Sequence, residues 1–446
     1  MSELLDVARR VAEQAKPGEQ VEAYVARSKR VAVRAYQGEV EALTSAESSG
    51  IGVRVIVDHR VGFAHAGTLD EGAITEALAE ARDNAEFGEV DEWNGLAVPD
   101  GVEPPELDLY RAELASFPTD RKVELALELE RATLAGDPRI TGVRTSSYGD
   151  AAGEAAIATS TGIAVSSRAT SCWLTVHALA AEDGEVQWGY GIDVGRTQDE
   201  LDIAATAADS VERATRMLGA RQPKSRRLTV VLDPRVAASF LSIVGGTLTG
   251  ERVLKGRSPF ADRMGDVIAA PALTLVDDAT NPESLGADSH DGEGLATRPS
   301  TLIDAGALTT FLQNSYTARR AKTVSTGSAV RGYSSRPGVG CLALIPRPGT
   351  MSVEELYAQV GEGVLVQEVT GLHSGVNPVS GDFSVGAEGV MIRDGALAEP
   401  VREMTIASTL QRMLLDIVGV GGDLEWLPGG DAGVSLAIGD VALSGS

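Results

Sequence analysis

Between Leu228 and Asp266 the sequence switches from strand to helix within two residues, and the rest of the chain has to be built around that switch. Leu228–Leu232 (LTVVL) is a β-branched run that reads as a strand entering a core. Asp233-Pro234 stops it and opens a helix, since proline is tolerated at the first helical position. Val236, Phe240, Leu241, Val244 and Leu248 recur at helical spacing, which predicts a largely buried helix. Gly245 and Gly246 fall inside it, each costing about 1 kcal/mol against alanine. Close packing or a local backbone requirement has to offset that cost.

Upstream, Leu4, Leu5, Val7, Ala8, Val11, Ala12 and Ala15 form one apolar stripe, with Ser2 placed to cap the helix and Pro17-Gly18 to close it. Val21–Arg27 and Val31–Tyr36 alternate as two strands with a polar connection, and Ile51–Val57 and Val61–Ala66 make a hairpin around Asp58-His59-Arg60. Thr68 with Glu71, and Thr197 with Glu200, have capping-box spacing ahead of helices reaching Ala85 and Leu218. Gly88–Pro118, Pro-rich and acidic, reads as a surface connection to a helix at Thr119–Leu134. Strands are expected at Ala155–Ser160, Ala169–Ala180 and Val186–Asp193. The basic, proline-containing Arg221–Arg227 divides residues 1–222, a mixed α/β domain with helices packed on a sheet, from residues 223–446. The second part reads as a mainly antiparallel β domain around the buried helix. Its strands are expected at Leu273–Val276, Thr301–Ile303, Leu308–Leu312, Gly340–Ile345, Val364–Val369 and Val434–Ile438, with a hairpin at Asp394-Gly395 and a short helix at Ser408–Leu415. The class is α+β rather than doubly wound, because strict βαβ alternation is missing.

With 446 residues, the chain exceeds one ordinary core. A formal charge of -25 repels phosphate backbones and anionic lipid, so neither nucleic acid nor membrane is an expected partner. Two cysteines far apart, Cys172 and Cys341, give no disulfide framework, and the charged N-terminus has no signal-peptide core. A cytoplasmic location is expected.

No self-contained catalytic cluster stands out. The five histidines show no HxH, HxxxH or HExxH spacing. His290-Asp291 with Glu293 is the best local set of ligand types and reads as an exposed acidic turn. A hydrolase triad from Ser242 or Ser374, His373 and Asp382 lacks the G-x-S-x-G elbow, and Ser242 reads as part of an apolar helix face. Cys341, in the apolar run GCLALI, reads as a packing thiol. The loop Gly371–Gly381 has two readings: a glycine-rich turn at a sheet edge, or exposed backbone that an extended peptide can pair with.

The helix at Pro234 and the landmarks that follow it resemble the TldD/PmbA (TldE) family. Lys255-Gly256-Arg257-Ser258, Val276-Asp277-Asp278, Asp291-Gly292-Glu293-Gly294, Ser325-Thr326-Gly327 and the run Gly375–Ser384 (GVNPVSGDFS) occur in family order; Gly50–Val55 and Gly62-Phe63-Ala64 extend the likeness upstream. In the TldD branch this helix carries HExxxH, whose histidines bind zinc beside a catalytic glutamate. The matching positions are Ser242, Ile243 and Thr247, none of which can serve. A cysteine ligand ahead of the GVNP loop is also missing, with His373-Ser374 in that neighbourhood. The resemblance therefore implies the PmbA/TldE branch: a subunit with no metal of its own, inactive alone, paired with a zinc-bearing TldD-like partner that cleaves peptides or small unfolded proteins. It tips the loop toward a peptide-facing role, with His373, Ser374, Gly375, Val376 and Asn377 as the candidate residues. A peptide-binding or scaffolding homodimer, and a non-metal hydrolase, are the alternatives. Two ligands five residues apart lie about 140° apart on an ideal helix, so a retained distortion is expected at Gly246, which should be too crowded for a side chain. Ile243 is expected to close the former pocket.

Overall fold

The computed structural model describes residues 2–446. The first helix, α1 (Glu3–Ala12), buries the stripe from Leu4 to Ala12. Ser2 precedes it but makes no cap; its hydroxyl binds Glu154 instead. Three strands follow, β1 (Glu19–Tyr36), β2 (Glu39–Val57) and β3 (Arg60–Ala66), then helix α2 (Glu71–Glu86). A short helix α3 (Ala112–Ala115) precedes α4 (Thr119–Ala135). Next come β4 (Ile140–Thr159), β5 (Ala164–Glu182), β6 (Glu185–Gly195) and helix α5 (Ile203–Arg216). The six strands make one antiparallel sheet in the order β3-β2-β1-β4-β5-β6.

The expected pair of strands in Val21–Tyr36 is a single 18-residue strand. Its polar middle stays in the ladder because both neighbours continue alongside: Ser28 faces Ser48 and Gly153, and Lys29 pairs with Glu47 at 3.2 Å. Two capping boxes also resolve differently. Thr68 donates to Asp70, the actual residue before α2. Glu200 is drawn back to the Arg196 amide (2.7 Å), and α5 is capped by Asp202, which accepts from the Ala205 amide at 2.9 Å. The segment 88–118 is less superficial than its composition suggests. Leu96, Ala97, Leu109 and Leu114 are buried, and Arg319 clasps its carbonyls at Trp93 (2.8 Å) and Gly95 (2.7 Å).

In the C-terminal half, β7 (Arg226–Leu232) leads into α6 (Pro234–Thr247), capped by Asp233. β7 pairs in parallel with Gly363–Thr370 and antiparallel with Leu436–Ser444. The hairpin Asp382–Arg393/Ala396–Thr409 completes the sheet, and Ala396–Thr409 also pairs with Leu436–Ser444, closing a ring of strands. One face of this sheet packs on α6, with the Phe240 and Phe383 rings edge to face at 6.1 Å. Its other face carries the helix Val353–Val360. That helix, not anticipated from the sequence, opens on Ser352 and Glu355, a capping box that forms in full. The expected strand Gly340–Ile345 is interrupted because the Leu342 and Ala343 amides turn to the Asp277 carboxylate, at 2.9 and 2.8 Å.

Buried ions join the two halves. Glu22 on β1 receives Arg54 of β2 at 2.6 Å and also Arg331, whose guanidinium lies over the Tyr24 ring. Arg54 reaches on to Glu293 at 3.3 Å, and Glu293 also accepts from the Ser315 amide and hydroxyl, at 2.8 and 2.7 Å. The segment read as an exposed acidic turn is therefore internal. Asp291 is buried too, accepts three backbone amides, and its carboxyl is pushed up to about 7 by burial and by Glu293.

Candidate functional site

Helix α6 has two faces. Val236, Phe240, Leu241, Val244 and Leu248, the expected apolar set, are all buried. Along the opposite stripe run Arg235, Ser239, Ser242, Ile243 and Gly246, each half-buried or exposed. Ser242 is thus not in an apolar face: it is exposed, with its hydroxyl at the Asp431 carboxylate. Ile243 is half-buried and packs against the core from the edge of the stripe. Thr247 turns the other way, 1 % exposed, its hydroxyl donating to the Val244 carbonyl at 2.6 Å. The three positions do not converge on one point, as their spacing on a regular helix requires.

The two glycines also divide between these faces, and they lie in the last turn of α6 rather than its middle. A side chain on Gly246 would meet nothing within 4 Å, so the expected crowding there is absent. Gly245 is the crowded one, where a Cβ would stand 2.8 Å from Cys341 Sγ and 2.9 Å from Leu344 Cδ2. Cys341 is a packing thiol against this turn, its ionisation pushed well up by burial.

The loop after Gly363–Thr370 begins with a single helical turn, Leu372–Gly375, anchored on the core by Leu372 and Val376. Its backbone is largely spent internally. The Asn377 amide donates to the Asp382 carbonyl at 2.9 Å and the Gly381 amide to the Asn377 carbonyl at 2.8 Å. Asn377 Oδ1 accepts from the Val379 amide at 3.0 Å. Gly375 lies so close to the Ser384 carbonyl that a Cβ would stand 2.0 Å from it. What the loop offers outward is side chains: His373, Ser374 and Val379 are exposed.

The loop and the open stripe of α6 come together at a cavity of 430 Å³, lined by Leu372, Arg235 and Ser239 together with His177, Trp188 and Tyr190 of the N-terminal sheet. None of the last three stood out in the sequence, although Trp188-Gly189-Tyr190-Gly191 carries a signal. Side chains at Gly189 and Gly191 would run into α5 carbonyls, Ser210 and Thr206, each at 2.2 Å. Helix α5 therefore rests on the glycine face of β6, and the two aromatics project from the other. Arg235 is held in place by Glu425 (2.6 Å), Asp209 (2.8 Å) and the Tyr190 carbonyl (2.7 Å). Arg213 is held by Asp209 (2.7 Å) and Asp233 (3.0 Å). Both cations are answered by acids of the fold. No group of three or more His, Cys, Asp or Glu side chains among the described residues is placed to hold a metal ion.

Comparison with known proteins places this architecture. The PmbA/TldA metallopeptidase domain 1 matches residues 21–85, the central domain residues 112–218 and the C-terminal domain residues 225–445. Metalloprotease PmbA of Escherichia coli O157:H7 is 29% identical over 408 residues, covering 91% of this chain and 88% of the relative. A PmbA homolog of Haemophilus influenzae is 26% identical over 415 residues, covering 92% and 89%. The crystal structure of TldE from Thermococcus kodakarensis superposes with a TM-score of 0.89 at 23% identity, covering 96% of this chain and 97% of that one, and shares the fold. No described helix is long and apolar enough to cross a membrane. Matched by three successive domains of one family, the chain belongs to the PmbA/TldD family of metallopeptidases.

Proposed function

We propose that this chain is the TldE-like, non-zinc subunit of a two-subunit metalloprotease and lines part of a chamber where the partner's zinc cleaves peptides or small unfolded proteins. The observation that carries this reading is the open stripe of α6. Where the zinc-bearing branch places its histidines and glutamate, this chain has Ser242, Ile243 and Thr247, with Ser242 exposed and Thr247 turned into the core. Ligands and general base would come from the partner, and the zinc-bound water would supply the nucleophile there. This chain's share is the surface formed by the stripe, by the exposed His373, Ser374 and Val379, and by the adjoining cavity. A cytoplasmic setting fits its two free cysteines.

The test is co-purification with a partner carrying HExxxH, followed by metal analysis and peptide cleavage. The expected result is zinc in the partner, none at stoichiometric level in this chain alone, and cleavage only by the complex. In the complex, His373→Ala with Val379→Asp should lower turnover while partner zinc stays unchanged. Gly375 is a poor probe, because any side chain there collides with the Ser384 carbonyl and disturbs the fold. One tightly held zinc in the isolated chain, or cleavage without a partner, would overturn the reading. A stable homodimer that binds peptides and no partner would replace it with a scaffold.

A further inference from the structure

The cavity between the two halves holds a charge arrangement the fold does not use. Glu368 and Glu388 lie directly across from one another on neighbouring strands, beside a bulge between Val366 and Glu368, and both line the cavity. Like charges directly opposite in a ladder destabilise it. Neither carboxylate makes an ion pair or accepts a hydrogen bond from another described residue. The nearby cations are committed elsewhere: Arg213 to Asp209 and Asp233, Arg235 to Asp209 and Glu425, and Arg402 to Glu185 at 3.1 Å. Gln367 Oε1, next to them, is buried without a hydrogen-bond partner. Such a group costs free energy while it stays unpaired.

Apart from Arg213 and Arg235, which the fold's acids hold, and a few aliphatic side chains, the remaining wall is aromatic. His177 stacks on Trp188 with centroids 5.6 Å apart and tilts against Tyr190 at 4.7 Å. Burial, with Arg144 nearby, keeps the His177 imidazole below its usual range, so this wall is uncharged near neutral pH. Two carboxylates are too few for a divalent cation, and aromatic faces offer a hard ion nothing. Faces of this kind with unanswered carboxylates suit an organic cation carried on an apolar stem.

We propose that this cavity is a specificity pocket for the cationic side chain of a lysine or arginine in the peptide, its stem against Trp188 and Tyr190 and its charge between Glu368 and Glu388. The proposal rests on the reading of this chain as part of a peptide chamber. Its place next to Leu372 and Ser239 puts the pocket where a peptide lying along the open stripe of α6 would pass.

The test uses the full chain, alone and in complex with its partner. Three blocked, labelled hexapeptides identical except for a central lysine, norleucine or glutamate are titrated by fluorescence anisotropy. Lysine should bind about tenfold more tightly than norleucine, and glutamate should bind most weakly. In E368Q/E388Q, which keeps shape and removes charge, lysine and norleucine should come within about twofold of each other, with the norleucine affinity unchanged. W188A should weaken lysine and norleucine alike, since it removes the surface for the stem. Equal binding of lysine and norleucine to the wild type overturns the proposal and leaves the chamber reading standing. So does a lysine preference that survives in E368Q/E388Q, which would belong to the general acidity of the surface. If none of the three peptides binds the chain or its complex, the chamber reading falls and takes the proposal with it.

Discussion

Two pairs of glutamates in this molecule meet opposite fates. Glu22 and Glu293, at the seam between the halves, have no exposed surface, and arginine or hydroxyl donors answer both. Burial works against the ionised form of Glu22, but Arg54 and Arg331 outweigh it and hold the carboxyl below its usual range. Glu368 is half-buried and faces another glutamate. Desolvation, then the charge of Glu388, pushes it up to about 7, with only Arg213 opposing. The same side chain is ionised glue in one place and a half-titrated, unanswered acid in the other. Burial is common to both, so what separates structure from candidate function is whether the fold itself supplies the counter-charge.

The most damaging way to break the seam is to remove one partner. Arg54→Ala should cost about 3–5 kcal/mol in urea unfolding, because it strands Glu293 and half of Glu22 without a cation in a buried site. A loss under about 1 kcal/mol would mean water enters the seam and that the contrast with the cavity is not real.

A second test asks whether the filled and open sides of α6 differ as the two glutamate pairs do. Gly245→Val should cost about 1–3 kcal/mol, since its Cβ collides with Cys341 and Leu344. The same measurement on Gly246→Ala should give no loss and a gain of up to about 1 kcal/mol, because that side is open and alanine is the better helix former.

The third prediction concerns pH. Between about pH 4.5 and 7 the folded chain keeps a proton on Glu368 that the unfolded chain has released. Stability should therefore fall as pH rises through that window, by about 1–2 kcal/mol after allowing for solvent at this half-exposed group. Glu368→Gln should remove that group's share of the slope and leave the share of the buried Asp291, whose carboxyl is raised in the same direction. The groups facing Glu368 are Glu388, Arg213, Arg235 and His177, the last held below its usual range by burial. Glu22 has the opposite sign: its contribution is present above the unfolded carboxylate range and is lost as pH falls through its depressed value. Acid should weaken the Glu22 ion pairs and relieve the carboxylate pair in the cavity. A slope unchanged in Glu368→Gln would show that this carboxyl is not the one holding the proton.

Much of the framework could be read residue by residue. Asp233-Pro234 marks the start of α6, the spacing of Val236 to Leu248 marks its buried face, and Asp394-Gly395 marks a hairpin. These signals act within a turn or two, and the chemistry they carry is a property of residue type. That Ser242, Ile243 and Thr247 are poor zinc ligands is likewise a matter of residue type, while their match to a zinc motif comes from the family resemblance alone. Capping spacing is less reliable: α2 starts after Asp70 with no side-chain cap, and Asp202 rather than Thr197 caps α5.

What no local pattern could show is who meets whom. Arg331 answers Glu22 across 309 residues, whereas Glu368 meets Glu388 through the register of a bulged hairpin. Of two adjacent glycines, Gly245 is crowded only because Cys341 and Leu344 arrive there from another segment. Residue types and their periodicity decide which elements form and which side-chain chemistry is on hand. Whether a buried charge is answered depends on which distant segments share its volume, because Coulomb energy and desolvation depend on distance in space and not on order along the chain.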